Sequence, residues 1–351
     1  MRFVAILPLM LAGPAVLAAQ QERHSLEGDD VAIYNLAGEV SVEAGQGSIG
    51  VLVSRGGGAA GQLRVEQGEI DGRETLRVIY PSDHIVYSRS GSGSSTTQLR
   101  VRDDGTFGDE HGWNERSRGR RVTIMDRGDG LDAHADLRIS VPSGRQLAIH
   151  LAVGKVTVTN VNGRISVDAH CAPVTATGIR GALSVDVGGG AVQVSQVEGD
   201  LSVDTGSGSV EVSRYRGATL SVDTGSGDVT GTELEAAHLS IDTGSGDIRL
   251  AGVTAPEVTL ETGSGSVTTE LRREIHSLSV ETGSGNIAIT APPTLSASVE
   301  IETASGEIES DFPLTVTRHA RDHVEGRIGD GKGTIAIETG SGGIRLLKSP
   351  Q

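Results

Sequence analysis

Acidic side chains recur at one position of a phrase repeated along the second half of the chain, where their oxygens could bind cations. The phrase reads Leu201-Ser202-Val203-Asp204-Thr205-Gly206-Ser207-Gly208 and returns from Leu220, Leu239, Val258 and Leu278, at steps of 19, 19, 19 and 20 residues. We call the acidic residues at this position the carboxylate ladder: Asp168, Asp186, Asp204, Asp223, Asp242, Glu261, Glu281, Glu302 and Glu338.

Two interpretations of the carboxylate ladder stay open at this point. Stacked strands lie ~4.8 Å apart, and like charges at that distance repel by about 1 kcal/mol in water and about 3.5 kcal/mol at an effective dielectric near 20. Ca²⁺ or another hard cation could relieve this repulsion, and the predicted ligands are Asp204, Asp223, Asp242, Glu261, Glu281 and Glu302. Alternatively, each Asp accepts backbone N–H bonds in an Asx-turn, although the later Glu residues are one methylene too long. No cofactor other than possible Ca²⁺ is expected.

The Thr-Gly-Ser-Gly segment after the acidic residue is typical of a tight turn. Gly permits a positive φ, and Ser and Thr hydroxyls bond nearby backbone groups. A phosphate-binding loop would need a following helix and a Lys of the P-loop type, and neither accompanies the motif. We therefore interpret the segment as turn chemistry.

The period predicts the elements that position these side chains. A repeat of this size without a helical pattern indicates stacked β-strands. We predict an all-β, single-stranded β-solenoid (β-helix), right-handed, with rungs of 18–21 residues. Its rungs begin near Leu147, Ile165, Leu183, Leu201, Leu220, Leu239, Val258, Leu278 and Val299, and a last copy starts at Ile335.

The rest of the chain divides by composition. Residues 1–19 resemble a secretory signal peptide, residues 20–80 contain short alternating strands that form opening rungs or a cap, and residues 136–347 form the regular solenoid. Residues 81–135 are a polar Ser/Gly/Arg-rich insertion that is expected to bury little and to contain two strands, 98–102 and 121–125. Within the solenoid, residues 310–334 are predicted to form an atypical C-terminal rung.

Charge and cysteine content limit the possible partners and compartment. The net charge of −16 disfavours nucleic acid and anionic lipid. Beyond the first segment no apolar stretch approaches the ~20 residues of a membrane span. We therefore expect an exported protein, periplasmic or secreted, that is not an integral membrane protein. Cys171 is the only cysteine, which excludes an intrachain disulfide, and we expect a buried structural thiol, with a reactive or intermolecular thiol as the alternative.

Three features together resemble a known family. They are the entry strand ending in Val141-Pro142-Ser143-Gly144, the iterated Asp-Thr-Gly-Ser-Gly rungs, and the closing Gly326-Arg327-Ile328-Gly329-Asp330-Gly331. Over residues 136–347, and more weakly over 30–80, the chain is similar to the bacterial putative-adhesin β-solenoid family of unknown biochemical activity. The resemblance implies a pectin-lyase-like solenoid without a lyase site and a role in adhesion or envelope interaction.

The leading functional prediction is a non-enzymatic adhesin-like scaffold whose partner is a cell-envelope component, a glycan or a protein surface. A polysaccharide-binding or polysaccharide-active solenoid, a lyase or hydrolase, is the alternative, and Trp113 is its candidate sugar-stacking residue. A catalytic site should break the repeat, and the residues that do so are His150, His170, His238, His276, Arg318, His319, Arg321 and His323. A Ca²⁺-stabilised structural module is a third possibility that overlaps with the first.

Overall fold

The computed structural model describes residues 21–88, 96–108, 119–320 and 322–350, except the side chain of His319. Within these ranges the chain forms β-strands and one short 3₁₀ helix, Ala60–Gln62, so the predicted all-β class is confirmed. The predicted signal segment and Trp113 lie outside the described residues.

The strands fall into three groups along the chain. The first group is β1 (Gln21–Leu26), β2 (Asp30–Ala44), β3 (Ile49–Gly56), β4 (Arg64–Ile70) and β5 (Arg73–Ile79). The second group is β6 (His84–Val86), β7 (Thr96–Val101), β8 (Arg120–Met125) and β9 (Leu131–Asp132). The third group begins with β10 (His134–Val141), β11 (Arg145–Thr159), β12 (Asn162–Cys171), β13 (Val174–Gly189), β14 (Val192–Glu198), β15 (Leu201–Thr205) and β16 (Val210–Thr224). It continues with β17 (Val229–Ser245), β18 (Ile248–Thr254), β19 (Glu257–Ser264), β20 (Val267–Leu271), β21 (Ser277–Thr282) and β22 (Ile287–Ala291). It ends with β23 (Ala297–Thr303), β24 (Ile308–Ser310), β25 (Thr315–His319), β26 (His323–Ile328), β27 (Gly333–Thr339) and β28 (Ile344–Lys348).

Parallel pairing of successive copies of the repeat builds a β-solenoid-like stack. Leu183 pairs with Leu201, Leu201 with Leu220 and Leu220 with Leu239, each in register. We call the strands that carry the carboxylate ladder the ladder stack, which in spatial order is β12, β13, β15, β16, β17, β19, β21, β27 and β23. The strand that follows each turn forms a second stack, in which Val210 pairs with Val229.

The order of strands at the C-terminal end of the stack departs from the order in the chain. Strand β27 lies between β21 and β23, because Ile335 pairs in parallel with both Leu278 and Val299. In the second stack β28 similarly lies between β22 and β24. The last copy of the repeat is therefore an interior rung, although the chain order suggests a final one.

Antiparallel strands lie beyond both ends of the ladder stack. At one end β5 pairs in parallel with β2 and antiparallel with β4. At the other end β26 pairs antiparallel with β23, and β25 pairs antiparallel with β26. This second pair is formed by the segment that follows the regular repeats.

Alternation along each strand explains the burial. In β15, Leu201, Val203 and Thr205 are buried, whereas Ser202 and Asp204 are exposed. Aliphatic side chains from all the rungs form one continuous core cluster. Because each inward side chain contacts neighbouring rungs, one rung depends on the next for its burial.

Residues 81–135 bury more than their composition suggests. In the described part, β6 to β9 form a small four-stranded sheet in the order β7-β8-β6-β9. Its inward side chains, among them Ile85, Val122 and Ile124, belong to the main core cluster. The interpretation that this segment buries little is therefore wrong for the residues described here, because a few aliphatic positions are enough to attach the sheet to the solenoid.

The expectation of a buried Cys171 is also wrong, since this thiol is exposed. Cys171 is the last residue of β12, where the inward alternation of Ile165, Val167 and Ala169 ends. The chain turns there, and Ala172 takes the next buried position.

Candidate functional site

The carboxylate ladder forms one column on the outside of the ladder stack. Each acidic residue pairs in register with the next, from Asp168 with Asp186 to Glu261 with Glu281. At the far end Glu338 stands between Glu281 and Glu302, because β27 lies between β21 and β23. The structure thus brings together all six predicted ligands, and whether they bind a cation stays a prediction.

The middle of the column is rich in uncompensated charge. Among the described residues, no hydrogen bond or ion pair is formed by the side chains of Asp204, Asp223, Asp242, Glu261, Glu281 and Glu338. The Asx-turn interpretation therefore does not describe these six carboxylates. Partial burial, and the charge of Asp223 as the second cause, raise the pKa of Asp204.

A neighbouring pair of acidic side chains shows what turn chemistry looks like in this fold. Asp228 Oδ1 accepts the backbone N–H of Asp247 at 2.9 Å, and Asp247 Oδ1 accepts that of Ser266 at 2.7 Å. Arg249 bridges the two carboxylates. The backbone N–H of Asp247, followed by Arg249, lowers the pKa of Asp228. The carboxylates of Asp228 and Asp247 therefore hold neighbouring turns together, whereas the six ladder carboxylates named above make no such contacts.

The two environments predict opposite effects of removing a charge. Because the pKa of Asp204 is raised, protonation of this carboxyl stabilises the folded state. That stabilisation is fully present below the ordinary pKa of ~3.9 and is lost as the pH rises. We expect Asp204→Asn to raise the free energy of unfolding at pH 7 by about 0.5 kcal/mol in low salt and to leave it almost unchanged at pH 3. Asp228→Asn should lower the free energy of unfolding at pH 7. The pKa of Asp228 is lowered by folding, so its charged form stabilises the folded state above the pKa of the unfolded state. Urea unfolding at both pH values measures the difference, and destabilisation by both variants would contradict it.

Histidines stand at both ends of the column. His150 pairs in register with Asp168 and, on its other side, with Tyr34. Its Nδ1 lies 3.0 Å from Asp168 Oδ2, and its ring stacks on Tyr34 with centroids 4.3 Å apart. The imidazole is only 2% exposed, and Phe107 packs edge-on against it.

His323 closes the other end of the column. It lies opposite Glu302 in the antiparallel pair of β26 and β23, and its Nδ1 lies 2.5 Å from Glu302 Oε1. Sequence reasoning singled out both histidines without placing them. Extending the repeat back by one rung from Asp168 would have found His150, whereas the position of His323 depends on an antiparallel return that the period does not encode.

Another repeat-breaking histidine, His238, lies away from both ends of the column. His238 Nδ1 bonds Glu257 Oε2 at 2.7 Å on the surface, several rungs from either end of the column. The side chains of His319 and Arg321 lie outside the described residues, as does Trp113. In the part of the chain that the structure describes, His150, His238 and His323 contact three separate carboxylates.

The Thr-Gly-Ser-Gly turns hold neighbouring rungs together. Thr262 Oγ1 donates a hydrogen bond to the carbonyl of Gly246 in the preceding rung at 3.0 Å. The backbone of Gly246 has φ +148°, and a Cβ there would lie 2.2 Å from the carbonyl oxygen of Gly227. Close backbone stacking therefore requires this glycine, which explains why the motif recurs.

A polar groove, which the sequence did not indicate, runs along another corner of the solenoid. Its volume is about 890 Å³. At this corner Asn160, Gln196, Arg214 and Glu233 all have left-handed backbones, with φ between 53° and 56°. Two ion pairs line it, Arg180 Nε–Glu198 Oε2 at 3.3 Å and Arg216 Nη2–Glu235 Oε2 at 2.9 Å. The groove offers hydrogen-bonding side chains to an extended polymer.

The fold and its surface define a class: an all-β repeat protein of solenoid-like architecture with a continuous acidic column. The chain belongs to the Toastrack DUF4097 family, whose model matches residues 133–347, well over half of the chain. This is a family of unknown function, and the predicted resemblance to such a family is confirmed.

The chain is similar, at 10% identity and a TM-score of 0.25, to the crystal structure of a "putative cell adhesion protein" from Clostridium sporogenes ATCC 15579, with 95% of this chain and 100% of that one covered. No curated protein matches the chain. In the described residues, no helix has the length and hydropathy needed to cross a membrane.

Proposed function

We propose that this protein is an exported, non-enzymatic adhesin-like scaffold that binds a cell-envelope component, a glycan or a protein surface through its repetitive acidic face. The observation that carries the proposal is the ladder itself, because six adjacent carboxylates remain exposed without hydrogen bonds or ion pairs in the described chain. A rigid row of like charges costs stability. Retaining it is reasonable if the row contacts a cationic or cation-bridged partner.

The family and the pairing pattern support the finer parts of the proposal. We take the stack to be right-handed with rungs of 18–21 residues, capped by residues 20–80 and interrupted by the insertion at 81–135. The Toastrack family match supports the solenoid-like architecture that presents the acidic face. Residues 1–19 act in this proposal as a cleaved export signal, which places the protein in the periplasm or outside the cell.

Binding to envelope material tests the function directly. Labelled protein from residue 20 onward should bind isolated envelopes, cells or a glycan array, and Asp223→Asn/Asp242→Asn should weaken that binding by about tenfold. Glu211→Gln/Glu270→Gln is the matched control, because it removes two exposed charges from the second stack. If the protein bound none of these materials, the proposal would be overturned.

Calcium is the simplest bridge between an acidic face and an acidic partner. Oxygen ligands at rung spacing suit a hard cation, so millimolar Ca²⁺ should raise the melting temperature relative to a chelator by roughly 5 °C. The rise should disappear in Asp223→Asn/Asp242→Asn and persist in Glu211→Gln/Glu270→Gln. If the melting temperature were the same with Ca²⁺ and with a chelator, calcium would be removed from the proposal.

The corner groove favours a second candidate, a polysaccharide-binding or polysaccharide-active protein. Its volume of about 890 Å³ and its charged side chains suit an extended sugar chain better than a compact ligand. Arg216→Ala and Arg180→Ala should then reduce retention on acidic polysaccharides while the ladder variants do not. Cleavage of uronate polymers that is lost in His319→Ala or His323→Ala would make the candidate an enzyme.

A further inference from the structure

Three metal-ligating side chains meet at the β26 end of the carboxylate ladder. Glu300 and Glu302 lie two residues apart on β23 and are both exposed, and His323 stands opposite Glu302 on β26. One ligand atom from each residue lies within 4.8 Å of the other two. No other group of three such residues occurs within the described ranges.

The unusual strand order enriches this place in further oxygen donors. Because β27 lies beside β23, Glu338 is the in-register neighbour of Glu302, and Glu281 follows on β21. Glu281, Glu300, Glu302 and Glu338 line a hollow of about 220 Å³. His323 does not line this hollow, which lies on the β27 side of Glu302, so the hollow supplies further carboxylates beside the three ligands.

His323 adds an imidazole to the acidic residues. Its side chain is 12% exposed, and its Nδ1 is engaged by Glu302. Its Nε2 is buried and has no hydrogen-bond partner among the described residues.

The ligand types identify the class of cation. Ca²⁺ takes oxygen ligands, whereas an imidazole with carboxylates suits Zn²⁺ and other divalent transition metals. We propose that Glu300, Glu302 and His323 form a binding site for one such cation, with Zn²⁺ as its representative. The two exposed glutamates can draw in around the ion by changing rotamer, and the imidazole can coordinate through Nδ1 as a neutral ring whose proton is on Nε2.

The opposite end of the ladder has a similar pair but cannot accept a cation. His150 bonds Asp168, yet the imidazole is enclosed by Tyr34 and Phe107. A Cβ built on Gly108 would lie 2.4 Å from Asp168 Oδ2, so the loop leaves no space over the carboxylate. Only the β26 end combines an imidazole with two accessible carboxylates.

Zinc titration of chelator-treated protein from residue 20 onward tests the proposal. Isothermal titration with Zn²⁺ should give one Zn²⁺ per chain. The titration is done with Ca²⁺ in millimolar excess, so that Ca²⁺ fills any site made of oxygen ligands alone. Glu300→Gln should weaken binding by roughly tenfold or more, which is at least the effect of losing an outer-shell partner. This variant is decisive, because it leaves the His323–Glu302 hydrogen bond intact and so separates a metal site from a purely structural pair.

The surface pair His238–Glu257 provides the matched control. It has the same Nδ1-to-carboxylate contact, at 2.7 Å, without a third ligand in the described chain. His238→Gln should leave Zn²⁺ affinity unchanged, whereas His323→Gln should reduce it at least as much as Glu300→Gln does. If His323→Gln does not fold, Glu300→Gln alone decides.

Two results would overturn the site: no stoichiometric Zn²⁺ binding to the unmodified protein, or equal affinity of Glu300→Gln and the unmodified protein. The site does not depend on the proposed adhesin-like function. Zinc binding without envelope binding would refute that function alone, and envelope binding without zinc binding would refute the metal site alone.

Discussion

Replacing Gly246 with Ala should destabilise the protein by about 3 kcal/mol or more, which combines backbone strain with a steric clash. The backbone at Gly246 has φ +148°, and the new Cβ would lie 2.2 Å from the carbonyl oxygen of Gly227. That oxygen belongs to the backbone of the preceding rung, so relief requires the two rungs to move apart. Urea unfolding of the protein from residue 20 onward measures the loss.

Gly61→Ala is the control for this substitution. Gly61 lies in the 3₁₀ helix, and a Cβ there meets no atom within 4 Å. It should change the free energy of unfolding by less than about 0.5 kcal/mol. If Gly246→Ala were equally harmless, the rungs would not stack as closely as the structure shows.

Removing residues 332–351 should disrupt the stack in its interior. Without β27, strand β23 loses its parallel partner, and the inward faces of β21 and β23 lose Ile335 and Ile337, which are both 2% exposed. We expect amide hydrogen exchange in β23 and β26 to accelerate by roughly 100-fold or more, because local stability follows the lost pairing and burial. If β27 were instead a terminal rung, its removal would leave hydrogen exchange in β23 and β26 unchanged.

A shorter truncation separates this effect from a general sensitivity of the C-terminus. Removing only Pro350 and Gln351 leaves β27 and β28 complete and should preserve exchange protection. If the longer truncation left β23 as protected as in the full chain, β27 would not lie between β21 and β23. Mass spectrometry of deuterium uptake in peptides covering 277–303 and 323–328 gives the answer.

The period in the sequence was sufficient to predict the fold class and the acidic column. Each copy of the phrase carries its inward and outward positions with it, so pairing Asp223 with Asp242 in register follows from the repeat length alone. Family membership was likewise predicted from the repeated rungs and their flanking segments. These features depend on local alternation, which one sequence contains in full.

The end of the stack could not be predicted in the same way. The copies that begin at Leu278, Val299 and Ile335 are nearly interchangeable in sequence, so local pattern cannot decide which pairs with which. Strand β27 lies in the interior because β25 and β26 first carry the chain across the outer edge of β23. Glu300 was missed for a related reason. It becomes a candidate ligand only because β26 returns antiparallel to β23 and brings His323 beside it.

The interior position of β27 also has a consequence for folding during synthesis. A sequential solenoid can add each rung as soon as it emerges, but here β21 and β23 must wait for residues 333–339. Until those residues arrive, both strands present unpaired edges, which are templates for pairing with other chains. The antiparallel pair β25–β26 emerges before β27 and covers the outer edge of β23. The chain thus covers one edge of β23 early, and the other edge pairs only when residues 333–339 arrive.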